Sequence, residues 1–189
     1  MKLQNDKYEI EIKIDEDFHA ENDGQCDYDY VFGLEKVNEF YDADLDSTLS
    51  VNVKAGDKAV KIALTGENYS FDRNCAVLED DVLTVLQNTT ITQIGLRGFK
   101  RILHKNINEC FFGFELYKVK DFYILYGETE IIRLDKNFNC VWTFSGIDIF
   151  TTLDNTSEFV IDDDRIKLRD FQNNYYEINF DGKLIKKNC

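Results

Sequence analysis

Apolar and polar residues alternate with a period of two along most of this chain. Tyr8-Glu9-Ile10-Glu11-Ile12-Lys13-Ile14 shows the pattern first. A strand sends successive side chains to opposite faces, so this stretch predicts a strand with one apolar and one wet face. Asp15-Glu16-Asp17 ends it. Residues 19–29, with Asn22-Asp23-Gly24, read as a loop. Tyr28 to Val37 is apolar enough for a second strand, although Leu34, Val37 and Tyr41 also fit a short helical stripe. Asp42-Ala43-Asp44-Leu45-Asp46 reads as an exposed acidic loop. Leu49–Lys54 and Ala59–Leu64 flank Ala55-Gly56-Asp57-Lys58 and predict a hairpin.

The last third, Phe114 to Lys187, carries the same alternation most densely. In Arg165-Ile166-Lys167-Leu168-Arg169, Ile166 and Leu168 share one face and the three cations the other. Tyr176, Ile178 and Phe180 share a face of the next segment. Asp181-Gly182 then separates it from Lys183-Leu184-Ile185, a short-range hairpin pattern in which both turn residues are able to take positive φ. β-branched and aromatic residues dominate these runs, which favours sheet over helix.

A plan of strand, turn, strand recurs. It begins at Ala76, again at Phe114 and again at Phe159, spacings of 38 and 45 positions. Those intervals approach the length of a four-stranded propeller blade. Three copies are too few to close a ring of blades. The fold expected is therefore all-β, with antiparallel sheets. An N-terminal β-sandwich-like part, residues 1–66, packs on an open, curled, propeller-blade-like β-repeat part, residues 67–189, the two being separable or one continuous domain. The basic stretch Gly98–Lys105 is a short helix or an edge strand.

Composition adds one strong constraint, which is charge. The 189 residues hold 36 acids and 22 bases, a net charge of −14. Residues 1–50 contain 15 of those acids and 4 of the bases. Such a front end repels phosphate backbones and anionic bilayers and attracts a basic protein. Nucleic-acid and membrane partners are thus not expected, and a basic partner protein is. Asp27, Asp29, Asp42, Asp44 and Asp46 are the candidate partner-binding residues. The five cysteines are odd in number and form no C-x-x-C pair, which suits reduced thiols in a cytoplasm. The polar start lacks a signal-peptide core. Proline is absent altogether, so charge and bulges are left to guard the sheet edges.

Candidate chemistry is sparse. His19 and His104 stand beside no evident nucleophile, and no G-x-S-x-G elbow occurs. No H-E-x-x-H or clustered Cys/His spacing suggests a metal. Asp42-Ala43-Asp44-Leu45-Asp46 resembles the start of a calcium loop but lacks its glycine and distal glutamate. Asp162-Asp163-Asp164 fits a turn between strands. Phosphate loops are absent. No catalytic residue, metal or cofactor is therefore expected, and the chain is not expected to be an enzyme. The alternative is a carbohydrate-binding or glycan-cleaving β domain. Its candidates are Trp142 with Tyr123 and Tyr126 as a stacking platform, and Glu128 with Glu130 as paired carboxylates. A lone Trp in Val141-Trp142-Thr143-Phe144 fits a core position better.

The run Trp142–Phe150, followed by Ile166–Phe171 and Tyr176–Lys183, resembles small uncharacterised bacterial all-β proteins. Some of these are similar to immunity proteins of polymorphic toxin systems. The resemblance covers about residues 66–187 and implies a non-enzymatic, toxin-neutralising protein-binding role. It carries no site residues.

Overall fold

A computed structural model of the protein describes residues 1–18, 27–33, 46–67, 74–151 and 159–188. Every regular element among them is a β-strand. Strands β1 (Lys2–Gln4), β2 (Glu9–Asp15), β3 (Tyr30–Phe32), β4 (Asp46–Ala55) and β5 (Lys58–Glu67) form a five-stranded sheet in the order β1-β2-β4-β5-β3. Three four-stranded meanders follow in chain order. The first is β6 (Ala76–Glu79), β7 (Val82–Gln87), β8 (Thr90–Gly95) and β9 (Lys100–Asn106). The second is β10 (Gly113–Val119), β11 (Phe122–Gly127), β12 (Glu130–Leu134) and β13 (Cys140–Ser145). The third is β14 (Val160–Ile161), β15 (Arg165–Arg169), β16 (Tyr175–Asn179) and β17 (Leu184–Asn188). The three copies of the sequence plan open these three meanders.

The chain forms two compact units, Met1–Asn106 and Ile107–Cys189. Each holds two sheets that bury their apolar faces in one cluster. In the first unit Ile10 and Ile12 of β2, Leu49, Val51 and Val53 of β4, and Ile62 and Leu64 of β5 pack with Leu83, Val85 and Ile94 of the first meander. In the second, Phe122, Ile124 and Tyr126 of β11 and Ile131 of β12 pack with Ile166, Leu168, Tyr176 and Ile178 of the third meander. The division expected after residue 66 lies between the two sheets of the first unit.

Several local expectations need correction. Asp46 is not in a loop: it opens β4 and pairs with Glu67 across the β4–β5 ladder. The ladder continues there because Ser47–Leu49 still has β5 residues opposite it. In the described part of Tyr28–Val37 the strand is Tyr30–Phe32, and it runs parallel to β5. Leu34, Val37, Tyr41, Asp42 and Asp44 lie outside the described residues, as does His19. Gly98–Lys105 resolves as a turn and an edge strand, β9. The β4–β5 turn is tighter than expected, with Ala55 paired to Lys58 around Gly56-Asp57 and Gly56 at φ +59°. A glycine at the first turn position matches the strand twist in this way.

The Asp181-Gly182 turn is also of another kind than expected. Only Gly182 has positive φ, +77°. It belongs to a five-residue turn that occurs three times among the described residues of the second unit, at 135–139, 170–174 and 179–183. In each, the first residue's side-chain oxygen accepts the backbone N–H of the fifth, at 2.9 Å in all three. The fourth residue's N–H donates to the first residue's carbonyl, again at 2.9 Å. That fourth residue, Phe138, Asn173 or Gly182, has φ of +57°, +64° or +77°. Asp and Asn suit the first position because their short side chains hydrogen-bond their own backbone. Left-handed Phe138 is strained, and burial of its ring against Tyr123, centroids 4.6 Å apart, offsets the strain.

Asp170 does more than cap its turn. It is fully buried, and it accepts the Tyr176 O–H at 2.7 Å and the Asn174 side-chain amide at 2.9 Å. Tyr176 in turn accepts the N–H of Ile147 at 2.9 Å. Burial opposes ionisation, but the hydrogen bonds from Asn174, Tyr176 and the Asp148 backbone outweigh it. The Asp170 carboxyl is held below its ordinary range. Nearby, Trp142 donates its indole N–H to Phe180 O at 2.9 Å and lies against Gly182, where an added Cβ would come within 2.8 Å of the indole.

Two outcomes follow. Asp170→Ala leaves three buried donors without an acceptor and destabilises the chain by about 2–3 kcal/mol in urea unfolding. Because its folded pKa is depressed, Asp170 contributes stability fully above about pH 4 and loses it as pH falls through the folded value. Wild type thus loses more stability on acidification than Asp170→Asn does. Gly182→Ala combines positive φ with a clash on Trp142, the only tryptophan. It lowers stability by about 2 kcal/mol and changes the indole emission.

Candidate functional site

The acidic residues that sequence singled out do not form one loop. Of the five, Asp27 and Asp29 lie in described segments with their side chains exposed. Asp46 is a strand residue, and Asp42 and Asp44 are outside the description. Tyr28 links the segment of Asp27 and Asp29 to a second acidic stretch. Its ring is buried and its O–H donates to the Asp15 carboxylate. Phe18 meets the ring edge-on at 4.9 Å, and the Lys61 ammonium sits 4.3 Å from its centroid. The Thr48 hydroxyl donates to Phe18 O at 3.3 Å. Asp15-Glu16-Asp17 at the end of β2 is thereby held next to Asp27-Tyr28-Asp29. This is the face of the five-stranded sheet opposite the core, because Leu49 and Ile62 point inward and their neighbours Thr48 and Lys61 point out.

Asp29 has a structural duty. Its N–H donates to Lys61 O and its carboxylate accepts the Lys61 N–H, both at 2.8 Å, which extends the contact with β5 below β3. Glu16, Asp17 and Asp27 are exposed. Sequence reading missed Asp15–Asp17, having assigned them only the role of ending a strand. Their position beside Tyr28 depends on a side-chain hydrogen bond across 13 residues.

Beyond Asp29 the surface turns aromatic. The β3–β5 pairing sets Tyr30 and Phe32 beside Ile62 and Leu64. Tyr30 stacks on Phe32, centroids 6.3 Å apart, and on Phe99, centroids 5.7 Å apart. Phe99 occupies the turn between β8 and β9 at φ +48°, an unusual backbone for an aromatic residue. Arg101 donates to Gly33 O at 3.2 Å, fastening β9 to the end of β3. The result is an open groove of about 770 Å³, walled by Tyr30, Val31, Phe32 and Phe99 and rimmed by Lys100 and Arg101. Tyr30 and Val31 are 38% and 42% exposed, large fractions for apolar side chains on adjacent positions.

The other candidates are accounted for structurally. Asp162–Asp164 do form the β14–β15 turn, with Asp162 paired to Lys167 and Asp164 to Arg165 at 2.8 Å. Trp142, Tyr123 and Tyr126 make no platform. Tyr123 and Tyr126 are buried on opposite faces of β11, where Tyr126 stacks on Phe159 at 4.5 Å, and Trp142 serves the 180–182 turn. Trp142, Tyr123 and Tyr126 therefore do not form the stacking surface considered for sugar. Glu128 lies in the turn before β12 and Glu130 begins that strand, both half-buried. His104 shares a hydrogen bond with Thr92 at 3.0 Å. Burial pushes the Cys75 thiol up to about 11 and that of Cys110 up to about 12, the latter aided by Glu130. Neither thiol is a nucleophile at neutral pH. Among the described residues no three His, Cys, Asp or Glu side chains are grouped to hold a metal. No described helix is long and apolar enough to cross a membrane.

No protein-family model and no curated protein matches this sequence. Solved structures show a distant likeness in strand arrangement. BamB from Moraxella catarrhalis aligns over 76% of this chain and 46% of its own, at 9% identity and a TM-score of 0.48. A chain of an S. cerevisiae complex, a Dbp5 variant bound to Nup159 and Gle1, aligns over 76% of this chain and 40% of its own, at 10% identity and a TM-score of 0.49. The AfRom2 CNH domain aligns over 78% and 48%, at 12% identity and a TM-score of 0.46. This chain spans less than half the length of these matched structures.

The exposure difference between neighbouring tyrosines is directly measurable. Under limited nitration, Tyr30 modifies well before Tyr28, as read by mass spectrometry of the peptides. Tyr28→Phe keeps the ring under Lys61 but removes the O–H to Asp15, and lowers stability by about 0.5–1.5 kcal/mol.

Proposed function

We propose that this chain is a non-enzymatic protein-binding module that receives a basic partner on its acidic corner, in the manner of an immunity-like protein that neutralises a toxin in the cytoplasm. The observation that carries the reading is the hydrogen bond from Tyr28 to Asp15, which brings the acidic stretch Asp15-Glu16-Asp17 to the segment holding Asp27 and Asp29. Lys61 is the one described cation held there, over the Tyr28 ring. The surrounding charge of −14 extends the attraction beyond contact range. Electrostatic steering of this kind raises association rates and selects partners of opposite sign. The partly exposed aromatic groove at the β3 edge, whose Tyr30 and Phe32 lie on the core-side face of the same sheet, supplies apolar area for a bound state, which charge alone does not. The resemblance of about residues 66–187 to small bacterial all-β proteins, some of them similar to immunity proteins, supports the toxin as the class of partner.

The test is affinity capture from native lysate at low salt, with wild type and with the charge-reversed pair Asp17→Lys and Asp27→Lys. Both substitutions are at exposed positions. A strongly basic protein retained by wild type, absent from the variant, and released at about 0.5 M salt is the expected result. Co-expression of that protein with wild type, and not with the variant, then relieves its effect on growth. Equal retention by both chains, or no partner for either, overturns the reading.

A further inference from the structure

We propose that the open edge of β3 accepts an extended segment of a partner protein as an added strand. The segment packs a large apolar side chain onto the groove walled by Tyr30, Val31, Phe32 and Phe99 and sets a carboxylate beside Lys100. This inference rests on the protein-binding reading above and specifies the chemistry of the partner.

β3 is the last strand of its sheet, and no described strand pairs with its outer edge. An unpaired edge presents backbone donors and acceptors that a second chain satisfies by extending the sheet. The edge at β17 is guarded by Lys186 and Lys187. Tyr30-Val31-Phe32 carries no charge at all. Its neighbouring side chains make a wall that an apolar residue of an incoming strand would contact. Tyr30, Phe32 and Phe99 lie in one stacked row, and such rigid aromatics anchor partner side chains at small entropic cost.

Charge decides the rest of the segment. Lys100 is exposed and has no carboxylate partner among the described residues, while Arg101 is engaged with Gly33 O. In a chain of net charge −14, an unpaired cation on the rim of an apolar groove selects a carboxylate. Lys100 lies between Phe99, which stacks on Tyr30, and Arg101, which bonds Gly33 O, whereas Asp27 and Asp29 precede the N-terminal end of β3. Three strand residues span roughly 10 Å, so a segment of about five residues reaches both ends. It carries a basic residue towards Asp27, apolar residues at alternate positions in the middle, and an acidic residue towards Lys100.

The experiment selects a random peptide library on the full-length chain and counter-selects on Phe99→Ala. The selected peptides are synthesised and titrated against wild type, Phe99→Ala and Lys100→Glu by fluorescence anisotropy. Lys100→Glu, on the exposed rim, serves as the variant whose folding is least at risk, with circular dichroism as the check. Expected are peptides with alternating large apolar residues and a following Asp or Glu. They should bind at least about tenfold more weakly to each variant, and selection on Lys100→Glu should replace that acid with Lys or Arg. Peptides that bind all three proteins equally, or no enrichment over the counter-selection, overturn the proposal. So does a dimer of the chain that dissociates in Val31→Asp, because the edge would then belong to a second copy. A basic partner captured as above without any selected peptide removes this proposal and leaves the protein-binding reading in place; failure of both removes both.

Discussion

An isolated antiparallel sheet with one apolar face is unstable in water until something covers that face, and this chain meets the requirement by pairing its sheets. Ile10, Ile12, Val51 and Ile62 on one sheet have Leu83, Val85 and Ile94 to bury against. Phe122, Ile124 and Ile131 have Ile166, Leu168 and Ile178. Hydrophobic burial here is organised by period two in strands such as β2, β15 and β16, which give one face to a core and the other to further uses, while β7 and β11 are buried on both faces. The outer half carries what distinguishes this protein: the acidic corner, the tyrosine that fixes it, and the ladders of paired charges.

Short connections make such pairing possible, and the chain builds them from side chains. A five-residue turn with Asp or Asn first and a left-handed residue fourth recurs in the second unit. Each copy replaces the backbone partner that a tighter hairpin would supply. Asp170 shows how a turn device becomes a tertiary one. The same carboxylate that caps residues 170–174 receives Tyr176, and Tyr176 receives Ile147. One buried anion therefore ties a turn, a strand and the segment after β13, at the risk that each loses its partner if the charge is removed.

Legibility in the sequence followed the range of the interaction. Strands such as β2, β15 and β16 were readable because alternation is local, and the three meanders because the plan repeats. The Gly56 hairpin was readable from turn chemistry. The failures share a cause. β3 runs parallel to a strand 32 positions away, and no local pattern announces a parallel partner. Phe99 falls in a stretch that fits a short helix or an edge strand, and neither reading shows that its left-handed backbone turns its ring against both Tyr30 and the first core. Tyr28 reads as a strand residue, and its tie to Asp15 decides which acids meet. Asp46 was misplaced because acidic runs suggest loops, whereas a strand ladder tolerates Asp at its end where the partner strand still provides hydrogen bonds. Trp142 and the tyrosines of β11 looked like a possible platform because sequence spacing does not reveal that positions 123 and 126 face opposite ways until the strand's bounds are known.

The absence of proline bears on the open edge at β3. Proteins commonly keep sheet edges from pairing with other chains by placing proline, lysine or a bulge there. This chain has no proline, and β3 carries no lysine. General self-association is opposed by the charge of −14, which repels a second copy at long range. The same field attracts a basic partner and repels every other acidic chain, so the charge protects the edge and selects its occupant by one mechanism. The local cations at Lys100 and Arg101 do not contradict it: once a partner is within a Debye length, contact chemistry at the groove outweighs the overall field. Long-range attraction and short-range recognition then make different demands on the same ligand, and a segment with charges of opposite sign at its two ends satisfies both.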